Sequence, residues 1–166
     1  MKNTESNGLI LIVDDNVMNT QQIKDMLDIH GFHSITAESA SEGLEIVRTI
    51  KPELILLDIV MPEINGFSFC ETVKSNQQYS DIPIIFMTAQ TKSDTIDRAY
   101  KAGANDFIKK PVKPNELASR IKIQMRNAIE EKNRKQEIDD MRKQLITLRE
   151  ELHKAKNGNK PDNPSE

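Results

Sequence analysis

The sequence predicts an α/β protein: a doubly wound sheet of five parallel strands in the order 2-1-3-4-5, followed by a long C-terminal helix. Three observations predict it. Continuous apolar runs at Leu9–Val13, Leu54–Leu57 and Ile84–Met87 are too short for helices and do not alternate, as expected of strands buried on both faces. Segments of helical periodicity separate them, so strand and helix alternate and right-handed crossovers place helices on both faces of a parallel sheet. From Pro114 to about Ala155 there is no glycine and no further proline, and helix formers dominate.

Each element has a local cause. Leu9–Val13 is the first strand and ends in Asp14-Asp15. Asn16 caps the following helix, with Val17, Ile23, Met26, Leu27 and His30 as its inward stripe, and Gly31 stops it. Phe32 to Ala37 alternates weakly and is expected as an outer strand. Ser39 and Glu42 form a capping box for a helix turning Leu44, Ile46 and Val47 inward. The central strand, Leu54–Leu57, lies between Lys51-Pro52 and Pro62 and presents Asp58 where it meets its loop. Gly66 to about Asn76 forms a helix with Phe67, Cys70 and Val73 on one face. Ile84–Met87 ends at Thr88. Thr91 and Asp94 form a second capping box, for a helix through Ile96, Ala99 and Tyr100 that Gly103 terminates. Asp106-Phe107-Ile108 is a short fifth strand before Lys109-Lys110-Pro111, and Pro114 suits the first turn of the last helix.

This organisation sets a disordered tail at 1–8, the sheet domain at 9–126, a helical extension at 127–156 and a second disordered tail at 157–166. The net charge of −3 is uneven: residues 1–108 hold 8 Lys/Arg against 16 Asp/Glu, and residues 109–160 hold 15 against 8. The basic half is interleaved with acids and has no aromatic after Phe107, so a solvated helix surface accounts for it and nucleic acid is not the expected partner. The single cysteine excludes a disulfide framework, no apolar run has membrane-spanning length, and the N-terminus is not signal-like; a cytoplasmic protein is expected.

Asp14, Asp15, Asp58, Thr88 and Lys110 all fall at the carboxyl ends of strands, where ligands of open α/β sheets bind. Carboxylates so clustered repel one another unless a cation joins them. Oxygen ligands without a His or Cys pattern suit a hard ion such as Mg²⁺. A lysine and a threonine opposite them are donors for phosphoryl oxygens, and Asp58 is the natural nucleophile for an aspartyl phosphate.

From about Leu9 to Met125 the sequence resembles the receiver domain of bacterial two-component response regulators. The resemblance rests on the acidic pair Asp14-Asp15, on Asp58 with Met61-Pro62 and Gly66 behind it, on Thr88-Ala89, and on Phe107 three residues before Lys110-Pro111. It implies a flavodoxin-like fold, a phosphorylation-controlled switch with no enzymatic activity of its own, and a histidine kinase or histidine phosphotransfer protein as phosphoryl donor to Asp58. It implies Mg²⁺ bound by Asp15, Asp58 and the Val60 carbonyl, with Asp14 acting through water. Thr88, beside Ala89, and Lys110 would grip the phosphoryl oxygens, Phe107 would turn inward as Thr88 moves, and a cis Lys110–Pro111 bond would aim the lysine. Val60 and Gln90 would flank the phosphoryl group, and valine there implies slow self-dephosphorylation. An aspartyl-phosphate phosphatase would instead want a second acid at Val60. A receiver cut before an output domain and a structural dimerisation module are the other readings, the latter opposed by the intact acidic set.

In the extension, Ile138, Met141, Leu145, Leu148 and Leu152 follow the three-four spacing of a coiled-coil seam. A parallel two-stranded coil over residues 131–155 and a homodimer are expected, with Glu137 and Arg142 flanking the seam. A single helix held by the four-residue pairs Glu130–Arg134, Glu131–Lys135, Asp139–Lys143 and Glu150–Lys154, or docked against another protein, is the alternative.

Overall fold

The computed structural model describes residues 8–62, 64–89 and 92–157. Each apolar run becomes a strand. The elements are β1 (Leu9–Val13), α1 (Val17–Ile29), β2 (His33–Ala37), α2 (Ala40–Thr49), β3 (Leu54–Asp58), α3 (Gly66–Ser75), β4 (Ile84–Thr88), α4 (Ser93–Lys101), β5 (Asp106–Lys109) and α5 (Pro114–Asn157). The strands form one parallel sheet in the order β2-β1-β3-β4-β5, as the sequence predicts.

Side chains alternate across each strand, so one sheet feeds two cores. Along β3, Ile55 and Leu57 join Val13, Phe69 and Phe86 on one face, while Leu54 and Leu56 join Ile23, Leu27, Leu117 and Ile121 on the other. Every residue of β3 and β4 is buried, whereas the outer strand β2 is mostly half-exposed. Continuous apolar runs are therefore confined to strands covered on both sides.

The helix ends follow their capping chemistry with some differences. Asn16 Oδ1 accepts the amides of Met18 (3.0 Å) and Asn19 (3.2 Å), and Ser39 Oγ accepts that of Glu42 (3.1 Å). The Glu42 carboxylate reaches back to the Glu38 amide (2.8 Å), one residue before the cap. The α1 stripe is Thr20, Ile23 and Leu27 with Met26 half-buried beside them, and not Val17, which is 58% exposed in the first turn. Thr20 enters the stripe because its hydroxyl is satisfied by the Val17 carbonyl at 2.8 Å. His30 is half-buried, its Nδ1 hydrogen-bonded to the Met26 carbonyl (2.9 Å). Helix α4 has Lys92 at its N-cap with no side-chain cap bond, and Tyr100 near its end is exposed. The expected roles of Gln90 and Thr91, and the expected tails before Gly8 and after Asn157, lie outside the described residues.

By its contacts the chain divides into two units, Met1–Ala128 and Ile129–Glu166. In the second, the described ion pairs join Arg134 to Glu131, Arg142 to Asp139 and Lys143 to Asp140, each three residues apart, so Lys143 meets Asp140 where a pair with Asp139 was expected. Among the described residues no helix is long and apolar enough to cross a membrane.

Cys70 is a core residue, as its place on the apolar face of α3 predicts; its thiol donates to the Ala102 carbonyl at 3.3 Å, and burial pushes its pKa up to about 11. At pH 8 its alkylation should be roughly a hundredfold slower in the folded protein than in urea, because the thiolate is the reactive form. Equal rates in the two conditions would show that α3 opens without global unfolding.

Candidate functional site

Strand register assembles the site. Val13 pairs with Leu57, so Asp14 and Asp58 are the next residues outward on adjacent strands. Asp58 pairs with Met87, and Thr88 with Lys109, which brings Thr88 and Lys110 to the same rim. The Lys110 amide donates to the Thr88 carbonyl (2.8 Å), and the Lys110–Pro111 peptide is cis, as expected. The Lys110 ammonium then donates to Asp14 Oδ2 and to Asp58 Oδ1, each at 3.0 Å. This one cation bridges two carboxylates that sequence separates by 44 positions.

The three acids are held differently. Asp14 is fully buried, and it accepts the Asn16 amide (2.9 Å) and the Asn19 side-chain amide (3.3 Å) besides Lys110. Asp15 is exposed. Asp58 is buried, and its carboxyl lies above the ordinary carboxylate value: burial is the main cause, the Lys110 hydrogen bond and charge oppose it, and the Asp14 charge adds to it. Lys110 is itself raised, because its bonds to Asp14 and Asp58 outweigh its desolvation.

One carboxylate oxygen from each of Asp14, Asp15 and Asp58 lies within 4.8 Å of the others. Three carboxylates against one ammonium leave two formal negative charges, and all the side-chain donors are oxygen. That set fits a hard divalent cation of the Mg²⁺ class. Val60, two residues beyond Asp58, has an exposed side chain with no polar group. Thr88 is buried at the end of β4, and Ala89 beside it is exposed. Phe107 is half-buried against the core, its ring edge-on to Tyr100 with centroids 6.3 Å apart. The structure thus brings Asp14, Asp15, Asp58 and Lys110 together directly, sets Thr88 on the same rim, and leaves Phe107 packed to one side.

Sequence reasoning missed two supports. Asn19 steadies Asp14 from the first turn of α1, and a second amide three residues after the capping Asn16 was the available signal. Arg120 of α5 binds both oxygens of Asp106 at the start of β5 (2.9 and 3.1 Å), a pairing that no local pattern announces.

Removing the bridging cation should expose the competition at this site. Lys110→Ala is expected to bind Mg²⁺ on the order of tenfold more tightly, since a positive charge leaves two of the candidate ligands. The Mg²⁺-dependent rise in melting temperature should therefore exceed that of the wild type. An equal rise in both proteins would remove the cation from this crevice.

Comparison with known proteins agrees with the geometry. The family model described as response regulator receiver domain matches residues 10–122. The transcriptional regulatory protein YvrH of Bacillus subtilis is 37% identical over 127 residues, 76% of this chain and 52% of its own length. The phosphate regulon transcriptional regulatory protein PhoB of Pseudomonas aeruginosa is 35% identical over 117 residues, 70% of this chain and 51% of its own. Among solved structures, a CheY-like receiver domain protein from Methanospirillum hungatei superposes with a TM-score of 0.70 at 28% identity, covering 76% of this chain and 99% of that one. A response regulator from Chloroflexus aurantiacus gives 0.69 at 30% identity, covering 71% and 97%. The chain spans about half the length of the curated relatives it matches. With its fold, its acidic crevice and these relatives in agreement, the chain belongs to the response regulator receiver domain family.

Proposed function

We propose that Asp58 accepts a phosphoryl group from a histidine kinase or a histidine phosphotransfer protein, and that its occupancy switches contacts with other proteins. The observation that carries this reading is the Lys110 ammonium, 3.0 Å from both Asp58 and Asp14 at the carboxyl edge of the sheet. An Asp58 carboxylate oxygen attacks phosphorus, the new O–P bond forms as the P–N bond to the donor histidine breaks, and the electron pair leaves with the imidazole. Lys110 faces the charge on the transferred group, and the Thr88 hydroxyl donates to one of its oxygens. A divalent cation held by Asp14, Asp15, Asp58 and the Val60 carbonyl, Mg²⁺ in this reading, supplies further neutralisation of the phosphoryl oxygens.

Thr88 and Phe107 lie on neighbouring strands, so engagement of Thr88 by the phosphoryl group is the signal that turns Phe107 inward. Val60 offers no group to assist hydrolysis, which favours a long-lived phosphorylated state. The chain acts as a switch rather than as a catalyst with a substrate of its own, and its lone buried cysteine suits the reducing cytoplasm. The extension adds a second partner, another copy of the chain. Incubation with acetyl phosphate and Mg²⁺ should add one phosphoryl mass, mapped to Asp58 by peptide mass spectrometry. Uptake that is unaffected by EDTA, or that maps elsewhere, would overturn the assignment.

A further inference from the structure

We infer that residues 130–156 of two copies pair as a parallel, in-register coiled coil whose orientation is set by charge. This rests on the self-association reading above and goes on to name the pairing. It does not depend on the chemistry of Asp58. Within the second unit, Ile138, Met141, Leu145, Leu148 and Leu152 lie on helix α5 at alternating three- and four-residue spacing, with exposures from 41% for Ile138 to 62% for Leu145. A stripe so placed is the seam of a two-stranded coil, with Ile138, Leu145 and Leu152 at one core position and Met141 and Leu148 at the other.

The flanks of that seam are sorted by charge. The residue before each first core position is Glu130, Glu137, Gln144 or Glu151, and none is basic. The residue after each second core position is Lys135, Arg142, Arg149 or Lys156, and all are basic. In a parallel, in-register pair each residue of the first flank meets the residue five positions later on the partner helix. The resulting contacts are Glu130 to Lys135, Glu137 to Arg142, Gln144 to Arg149 and Glu151 to Lys156, three opposite-charge pairs and one amide–guanidinium pair, each made twice. An antiparallel pair would set acidic flank on acidic flank and basic on basic, so the same residues would oppose it. A helix whose two flanks carry opposite charges is complementary to itself, which selects a second copy over a foreign helix.

The intrahelical contact of Arg142 does not compete strongly. Arg142 reaches Asp139 at only 3.7 Å with both side chains largely in water, an arrangement worth little. Arg134 and Glu131 occupy core positions one heptad upstream and bind each other at 3.3 Å, so the apolar seam begins at Ile138. Little more than two heptads of seam give a dimer that forms at micromolar rather than nanomolar concentration. Parallel pairing brings the N-terminal ends of the two copies' extensions together, and each chain's receiver is thereby held at high effective concentration with the other.

Sedimentation of the full chain between about 1 and about 100 μM tests the pairing. The wild type should become a dimer across this range, and Leu145→Asp with Leu148→Asp should stay monomeric while still taking up phosphate from acetyl phosphate, which shows that the receiver is folded. Glu137→Arg should weaken the dimer on the order of tenfold, and adding Arg142→Glu should restore it. Met141→Cys should give a disulfide-linked dimer on mild oxidation, with buried Cys70 not contributing. A wild type that is monomeric throughout, or a dimer indifferent to the seam substitutions, overturns self-association. A seam-dependent dimer that Glu137→Arg tightens, or that Met141→Cys fails to cross-link, overturns the parallel orientation alone. Uptake at Asp58 is read separately, so neither failure is confused with failure of the phosphoacceptor assignment.

Discussion

Asp58→Asn is expected to abolish phosphoryl uptake from acetyl phosphate and, at the same time, to raise the melting temperature of the metal-free protein by roughly a few degrees at pH 7. The loss follows from removing the carboxylate that the end of β3 presents to Lys110. The gain follows from the carboxyl's raised pKa, caused first by burial, with Lys110 opposing and Asp14 reinforcing. A carboxyl raised in the fold favours folding fully below its ordinary value of 3.8, and that contribution is lost as pH climbs through the folded value. At neutral pH the ionised Asp58 therefore costs stability. Asparagine keeps the shape and removes the charge. Thermal melts in EDTA across the acid range check the sign: the advantage of Asp58→Asn should shrink as pH falls toward 3.8 and wild-type Asp58 takes up its proton in the fold. An advantage that stays constant with pH would assign it to packing instead.

Gly66→Ala should cost about 2–3 kcal/mol and slow phosphorylation as well. Gly66 opens α3, and its amide donates to the Ile59 carbonyl at 3.0 Å. A Cβ there would run into the Asp58 carbonyl oxygen and would sit 3.0 Å from both Ile59 Cα and Phe86 Cε1. Two of these three neighbours are the backbone that carries the acceptor, so relief of the clash displaces the site. Gly103→Ala provides the contrast. Gly103 has φ +97° and would press its Cβ on Lys74 Cγ at 2.8 Å, but it precedes β5 at the end opposite Lys110. It should cost about 1–2 kcal/mol while leaving the initial rate of uptake unchanged. Equal slowing in both variants would mean that Gly66 acts through global stability alone.

Interactions within about four residues were legible in the sequence. The runs Leu9–Val13, Leu54–Leu57 and Ile84–Met87 specified strands buried on both faces; Asn16 and Ser39 specified helix starts, and Gly31 and Gly103 helix ends. The acids and the lysine of the site were legible because each sits where a local pattern ends. What the sequence did not display is contact between elements. Phe69, one turn before Val73 on α3, is fully buried, and the absence of a Cβ at Gly43 of α2 leaves room for its ring. Val17 lies exposed in the first turn of α1, and Tyr100 is half in solvent while its ring meets Phe107 of β5 edge-on, a contact that no local pattern specifies. Asn19 on Asp14 and Arg120 on Asp106 arise from how helices seat on the sheet. The bridge from Lys110 to Asp14 spans 96 positions and that to Asp58 spans 52. Hydrophobic period and capping act through the chain's own repeat, so sequence alone determines the elements and which residues stand at their ends. The pairing of those ends depends on strand register and on the packing of two cores, and only the tertiary structure decided it.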